Sequence, residues 1–141
     1  MKPRWVFAVA VFGAVLAQGP VSAHHSFAAE FDRSLPVTVT GTVTKVEWTN
    51  PHARFYIDAK DEAGATVNWD FELASPNGLM RRGWTRNSMK LGDTVTVTGH
   101  RAKNNAHVGN ASTVVLADGK KLFAGSSGDN ESPEGAKPAQ Q

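Results

Sequence analysis

Five histidines in a chain of 141 residues without cysteine are the side chains best suited to chemistry here. Imidazole binds zinc, copper and nickel, and in the absence of thiolates a metal site is built chiefly from nitrogen and oxygen donors, Met80 and Met89 being read as core packing. His24 and His25 are adjacent, and His24 directly follows Val21-Ser22-Ala23, whose small residues suit signal peptidase. Cleavage after Ala23 makes His24 the new N-terminus, so its α-amine and ring nitrogen can chelate one ion. With an imidazole pKa of about 6.5 and an α-amine pKa of about 7.7–8.0, both donors lose their protons readily near neutral pH. Donors of this kind favour Cu(II) among divalent first-row metals. A histidine third in the mature chain would complete the amino-terminal copper motif. Ser26 stands there instead, so a further ligand has to come from His52, His100 or His107. His52 and His107 are preferred, because the two loops expected to carry them flank the usual ligand face of a small barrel of the oligonucleotide/oligosaccharide-binding (OB) type.

A second constellation needs no metal. Arg54, Tyr56, Asn68, Asp70 and Glu72 share the polar phase of two consecutive strand patterns, with Arg101 and Lys103 expected at one edge. Such a mixed-charge face suits a glycan, a small anion or a periplasmic protein partner. Catalysis is not expected. No nucleophile motif surrounds Ser26, Ser75, Ser88 or Ser112, and the acids Asp61, Glu62, Glu30 and Asp32 fall in loop or terminal stretches.

These residues need a scaffold, and the chain has room for one domain. Residues 1–23 read as a signal peptide: cations at Lys2 and Arg4, an apolar run from Val6 to Ala17, then a polar stretch to Ala23. The run is shorter than the roughly 20 apolar residues that span a bilayer, and no later stretch is apolar enough, so no membrane span is expected after cleavage. The expected location is the periplasm. The chain has 15 basic and 13 acidic side chains, and without Lys2 and Arg4 the two signs balance, which argues against nucleic acid as a partner. With no cysteine there is no disulfide framework, so an apolar core must stabilise the fold. Residues 125–141 hold no large apolar side chain and are expected to be a disordered tail. The folded domain is then 24–124.

Its pattern is that of strands. Leu35 to Trp48 alternates Val with Thr, and its apolar phase moves from Val37, Val39 and Val43 to Val46 and Trp48. That shift, with Gly41, predicts a long strand bent through a bulge near Thr44 and Lys45, serving two sides of a barrel. After the turn signal Thr49-Asn50-Pro51, Ala53, Phe55 and Ile57 form the inner phase of a second strand. Val67, Trp69, Phe71 and Leu73 form that of a third, beyond a hairpin at Lys60–Gly64. Ser75-Pro76 reads as a helix cap and first position, with Gly83 as a stop; Leu79, Met80, Trp84 and Met89 then plug one end of the core. A fourth strand is expected from Thr94 to Gly99 and a loop over Asn104 to Asn110. A fifth follows over Ser112 to Ala117, and a short sixth at Lys121–Phe123 after the Asp118-Gly119 turn. The expected class is all-β with a short helical insert: a small five- to six-stranded OB-like barrel, or a β-sandwich from the same strands.

Taken together, His24-His25-Ser26-Phe27, Gly41-Thr42-Val43, Trp48-Thr49-Asn50-Pro51-His52, the stretch from Trp69 to Asn77, and Leu91-Gly92-Asp93-Thr94-Val95 cover nearly the whole expected domain. This set resembles a family of small exported proteobacterial proteins known as a domain of unknown function. The resemblance implies export and a shared fold, and no activity. The histidine-first terminus is also similar to small periplasmic copper carriers that fold as β-sandwiches, a likeness confined to the terminus itself. The reading that follows is an exported, non-catalytic binding protein. Its ligand is a divalent metal, copper by preference, held by His24, His25 and either His52 or His107. The alternative is an OB-like partner- or small-ligand-binding module.

Overall fold

A computed structural model describes residues 27–104 and 106–125. The expected leader, His24, His25 and most of the expected tail lie outside the described residues. The elements in chain order are α1 (Phe27–Glu30), β1 (Phe31–Glu47), β2 (Arg54–Lys60), β3 (Thr66–Glu72), α2 (Pro76–Met80), β4 (Thr94–Ala102), β5 (Val108–Val115) and β6 (Lys121–Phe123). Among the described residues no helix is long and apolar enough to cross a membrane.

The fold is all-β with a small helical insert. Its strands join in one sheet of order β3-β2-β1-β4-β5-β6, and an additional β3–β5 pairing closes five of them into a ring. The arrangement is therefore not two facing sheets. The bend in β1 makes the ring geometrically feasible. Residues from Phe31 to Thr42 pair with β4, residues from Gly41 to Glu47 pair with β2, and the register slips between Val43 and Lys45, at the expected bulge. At that slip Val43 exchanges backbone bonds with the segment before β4, donating to Asp93 O and accepting from Gly92 N, both at 2.8 Å.

Side chains alternate as the apolar phases require. Val43, Phe55, Ile57, Phe71, Leu73, Val95, Val97 and Val114 are buried inside the ring, while Val37, Val39, Val46, Trp48 and Val67 are partly covered and pack against that core. Phe71 lies between two rings, stacked on Phe55 at 5.6 Å and on Trp69 at 5.4 Å. Outside, Thr38, Thr40 and Thr42 stand opposite Thr98, Thr96 and Thr94, and the Thr40 and Thr96 hydroxyls bond at 2.8 Å.

The helical insert is capped as its residues dictate. Ser75 Oγ accepts from Gly78 N at 3.2 Å, and Pro76 occupies the first turn, where a missing N–H costs nothing. Leu79, Trp84 and Met89 are buried as expected, and Trp84 Nε1 donates to Phe123 O at 2.9 Å. Met80 is not part of the plug: it is 50% exposed, because its neighbour Leu79 takes the inward direction and successive helical residues point about 100° apart.

Three strand boundaries differ from the sequence pattern by three residues or more. β1 begins at Phe31 rather than Leu35, preceded by the unanticipated turn α1; β4 runs on to Ala102; and β5 begins at Val108 rather than Ser112. Gly109 and Asn110 have weak strand propensity. They are held between two partners, β3 in parallel and β4 in antiparallel pairing, and this tertiary pairing overrides their local preference. The Asn50–Pro51 peptide in the β1–β2 connection is cis.

Candidate functional site

The structure brings the predicted binding residues of β2 and β3 together on the outer face of the ring; Arg54, Asp70 and Glu72 bond to one another, and Tyr56 and Asn68 bond to other side chains of the face. Register sets Arg54 opposite Glu72 and Tyr56 opposite Asp70. The guanidinium of Arg54 forks onto Asp70, with Nε donating to Oδ1 at 3.0 Å and Nη2 to Oδ2 at 2.9 Å, and its Nη1 donates to Glu72 Oε2 at 3.2 Å. This two-pronged geometry is what a planar guanidinium provides and an ammonium does not. The Tyr56 hydroxyl donates to Glu47 at 3.1 Å, and Asn68 Nδ2 donates to Asp58 at 2.8 Å and to Thr44 at 3.3 Å. The donors of this face therefore have acceptors within the face.

The same network has a pH signature. The Lys45 ammonium, 2.5 Å away, and then the Tyr56 hydroxyl hold the Glu47 carboxyl below the ordinary glutamate range. Burial and then the Glu47 bond push the Tyr56 hydroxyl up. A carboxyl depressed in the folded state stabilises the fold fully above its unfolded pKa, and the contribution disappears as pH falls through the depressed value. Glu47→Gln is therefore expected to melt below the parent at neutral pH and to converge with it below the glutamate range. Thermal melts of both proteins across that range check this, and a constant gap would show that Glu47 titrates as it does in the unfolded chain.

His52 and His107 are carried on the two expected loops, β1–β2 and β4–β5, but their rings face opposite sides of the sheet. His52 lies beside Glu72, its Nδ1 3.8 Å from Oε1, on the outer side. Its Nδ1 lies 3.0 Å from Leu73 O, a carbonyl that can only accept, so Nδ1 carries the proton and the neutral ring keeps its lone pair on Nε2. His107 packs edge-on against Trp69 at 5.1 Å, on the inner side, while its carbonyl accepts from Asp70 N at 3.0 Å. Side chains alternate along β3, so Glu72 and Trp69 mark different faces. Among the described residues no group of three or more His, Asp or Glu side chains is placed to hold a metal ion.

His100 occupies a position that its sequence neighbours do not announce. It faces outward from β4, with its ring 5.5 Å from that of Phe27 in an edge-to-face contact. Phe27 is held there by Phe31, by the Arg33 guanidinium, and by the Lys103 ammonium, which donates to Ala28 O. Register then sets a polar row across the outer face: His100 opposite Asn110, Asn110 beside Glu72, Glu72 opposite Arg54, and Arg54 opposite Glu47. Asn110 is only 4% exposed, and among the described residues its Oδ1 has no hydrogen-bond partner. A buried acceptor left open in this way is uncommon in folded proteins.

Arg101 is the other departure. It lies on the inner side rather than at an edge of the outer face, its guanidinium 5.1 Å over the Trp69 ring, with Nε donating to Ala106 O at 2.9 Å. Counting by two from Val95 and Val97 leads to Gly99 and then Arg101, so the phase was present in the sequence. The absence of a side chain at Gly99 hid it.

No curated protein and no solved structure matches the chain. The family comparison does find a match, over residues 13–111, which is more than half of the chain and includes α1, the β2–β3 face, His100 and Asn110. The protein belongs to the family of unknown function DUF6152.

Proposed function

We propose that this is an exported, non-catalytic binding protein of the periplasm whose mature N-terminus chelates a divalent metal, copper by preference. Signal removal after Ala23 frees the His24 amine, which binds with the His24 ring. His25 adds an imidazole, and a histidine of the folded domain completes the set. The observation that carries this reading is the seat of Phe27 against His100, 5.5 Å ring to ring. His24 precedes Phe27 by three residues, a tether of at most about 10 Å, so the histidine pair is covalently confined to the neighbourhood of His100. His100 is therefore the completing ligand in this reading.

Two further features support it. Asn110, registered with His100, leaves an acceptor open where the second N–H of a ligating imidazole needs one. His52 is on the same outer face, with its Nδ1 proton fixed by Leu73 and Nε2 left to bind. It is three strands from His100, about 14 Å at ordinary strand spacing, so it is the second choice. His107 faces the other side of the sheet.

The test is Cu(II) titration by calorimetry and electron paramagnetic resonance, using protein whose N-terminus at His24 is confirmed by mass spectrometry. The same protein with one additional residue before His24 is titrated alongside. One-to-one binding that collapses in the extended protein, and weakens by about 10- to 100-fold in His100→Ala but not in His107→Ala, is the expected result. Equal, weak binding in the mature and extended proteins overturns the metal reading. Loss in His52→Ala with retention in His100→Ala overturns the assignment of His100 alone.

A further inference from the structure

A recess of about 660 Å³ lies on the inner side of the ring, at the end away from the helical plug, and its shape follows from the path of β1. From Gly41 back toward Val37 the strand leaves β2 and pairs only with β4, while the β2–β3 hairpin continues past it to Lys60 and Ala63. The gap between them is a cleft with Trp69 at its base. Val37, Val39 and Val67 form its apolar walls; all three point inward with the core phase, yet they are only partly covered. The volume falls within the range of small-molecule sites.

Charge in this cleft is arranged differently from the outer face. Arg54 outside spends its donors on two carboxylates. Arg101 inside lies over Trp69, its guanidinium carbon 5.1 Å from the ring centroid, and is anchored through Nε to Ala106 O. Among the described residues its two terminal nitrogens make no hydrogen bond or ion pair. A guanidinium held through Nε, with one edge open beside an apolar wall, is a preorganised hydrogen-bond donor to a single carboxylate. Lys60 adds a second cation at the rim, its Nζ 2.7 Å from the Thr66 hydroxyl. Of the acids nearby, Asp61 is turned into its own hairpin, where Oδ1 accepts from Ala63 N and Ala65 N. Glu62 remains at the rim and disfavours ligands with several negative charges.

We infer that this cleft binds a small amphiphilic monoanion, a carboxylate on an apolar ring or chain. The apolar body lies on Val37, Val39, Val67 and Trp69, and the carboxylate meets the open edge of Arg101. The site is independent of the histidine terminus, because Trp69 and the outer row containing His100 occupy opposite faces of the sheet.

The probe is 2-naphthoate, titrated by calorimetry into the mature protein in the presence of EDTA, which keeps the proposed metal site silent. Its neutral counterpart 2-naphthamide and inorganic phosphate are run beside it. One-to-one binding of naphthoate is expected, with naphthamide at least about tenfold weaker, as loss of a charge-assisted bond implies. Phosphate should compete poorly. Arg101→Gln and Val39→Asp should each weaken naphthoate at least about tenfold, by removing the charge partner and the apolar wall separately. Lys60→Gln, which touches neither Trp69 nor the core, should weaken it less and serves as a variant whose folding is not in question. Circular dichroism melts confirm that the variants fold. No binding of naphthoate, equal binding of the acid and the amide, or unchanged affinity in folded Arg101→Gln overturns the inference.

Discussion

Phe71→Ala is expected to lower the stability of the domain by about 3–5 kcal/mol, the cost of emptying a buried phenyl site that its surroundings cannot close. Phe71 has no exposed surface, and the rings stacked on it, Phe55 and Trp69, belong to rigid paired strands. A loss of that size is a large share of the roughly 5–15 kcal/mol that holds an ordinary domain together. The partner across the parallel pairing has been shaped to this ring. Gly109 is registered with Phe71, and a Cβ built on it would lie 2.7 Å from the ring's Cε1. Gly109→Ala should therefore be destabilising in the parent and much less so in a Phe71→Leu background, where the clash is relieved. A double-mutant cycle in urea, with a coupling of about 1 kcal/mol or more, is the expected readout. Additive effects would show that β3 and β5 do not meet at this pair.

Gly99→Ala is expected to cost about 3 kcal/mol or more, at or above the upper end of ordinary overpacking. Its Cβ would stand 2.0 Å from the carbonyl oxygen of Asn110 and 3.1 Å from the Cα of Ala111. These are backbone atoms of a strand paired on both sides, so they cannot rotate away as a side-chain tip would. Relief requires β4 and β5 to separate where Gly99 faces Ala111, next to the His100–Asn110 pair. A urea midpoint measured by circular dichroism gives the loss, and the mature variant should also bind Cu(II) more weakly if His100 completes the metal site. A cost below about 1 kcal/mol would mean that the close approach of β4 and β5 is not required.

The candidate residues divide by how local their signals are. The histidine pair and the polar phase of β2 and β3 are written in neighbouring residues. What those residues face is not. Arg54 could be assigned to a polar face from the alternation about Phe55, but its use as a clamp on Asp70 and Glu72 depends on β2–β3 register. His52 and His107 sit on loops toward opposite ends of the ring, because β5 runs parallel to β3, and their rings are turned by Leu73 O in one case and by Trp69 in the other. Asn110 looks like loop chemistry in the sequence and is a strand residue in the structure, because two partners hold it.

By itself the sequence determined the all-β class, the strand phases, the bulge in β1, the capped helical turn at Ser75-Pro76 and the final hairpin. Each depends on residues within a few positions of one another, through side-chain alternation, β-branching or a hydrogen bond to the adjacent backbone. Only the tertiary structure decided that β3 meets β5 in parallel, that His100 is the imidazole beside Phe27, and that Arg101 lies over Trp69 with its Nε on Ala106 O. These contacts join segments far apart in the chain. Their free energy comes from closing the ring around one core, a cooperative gain that no local pattern records.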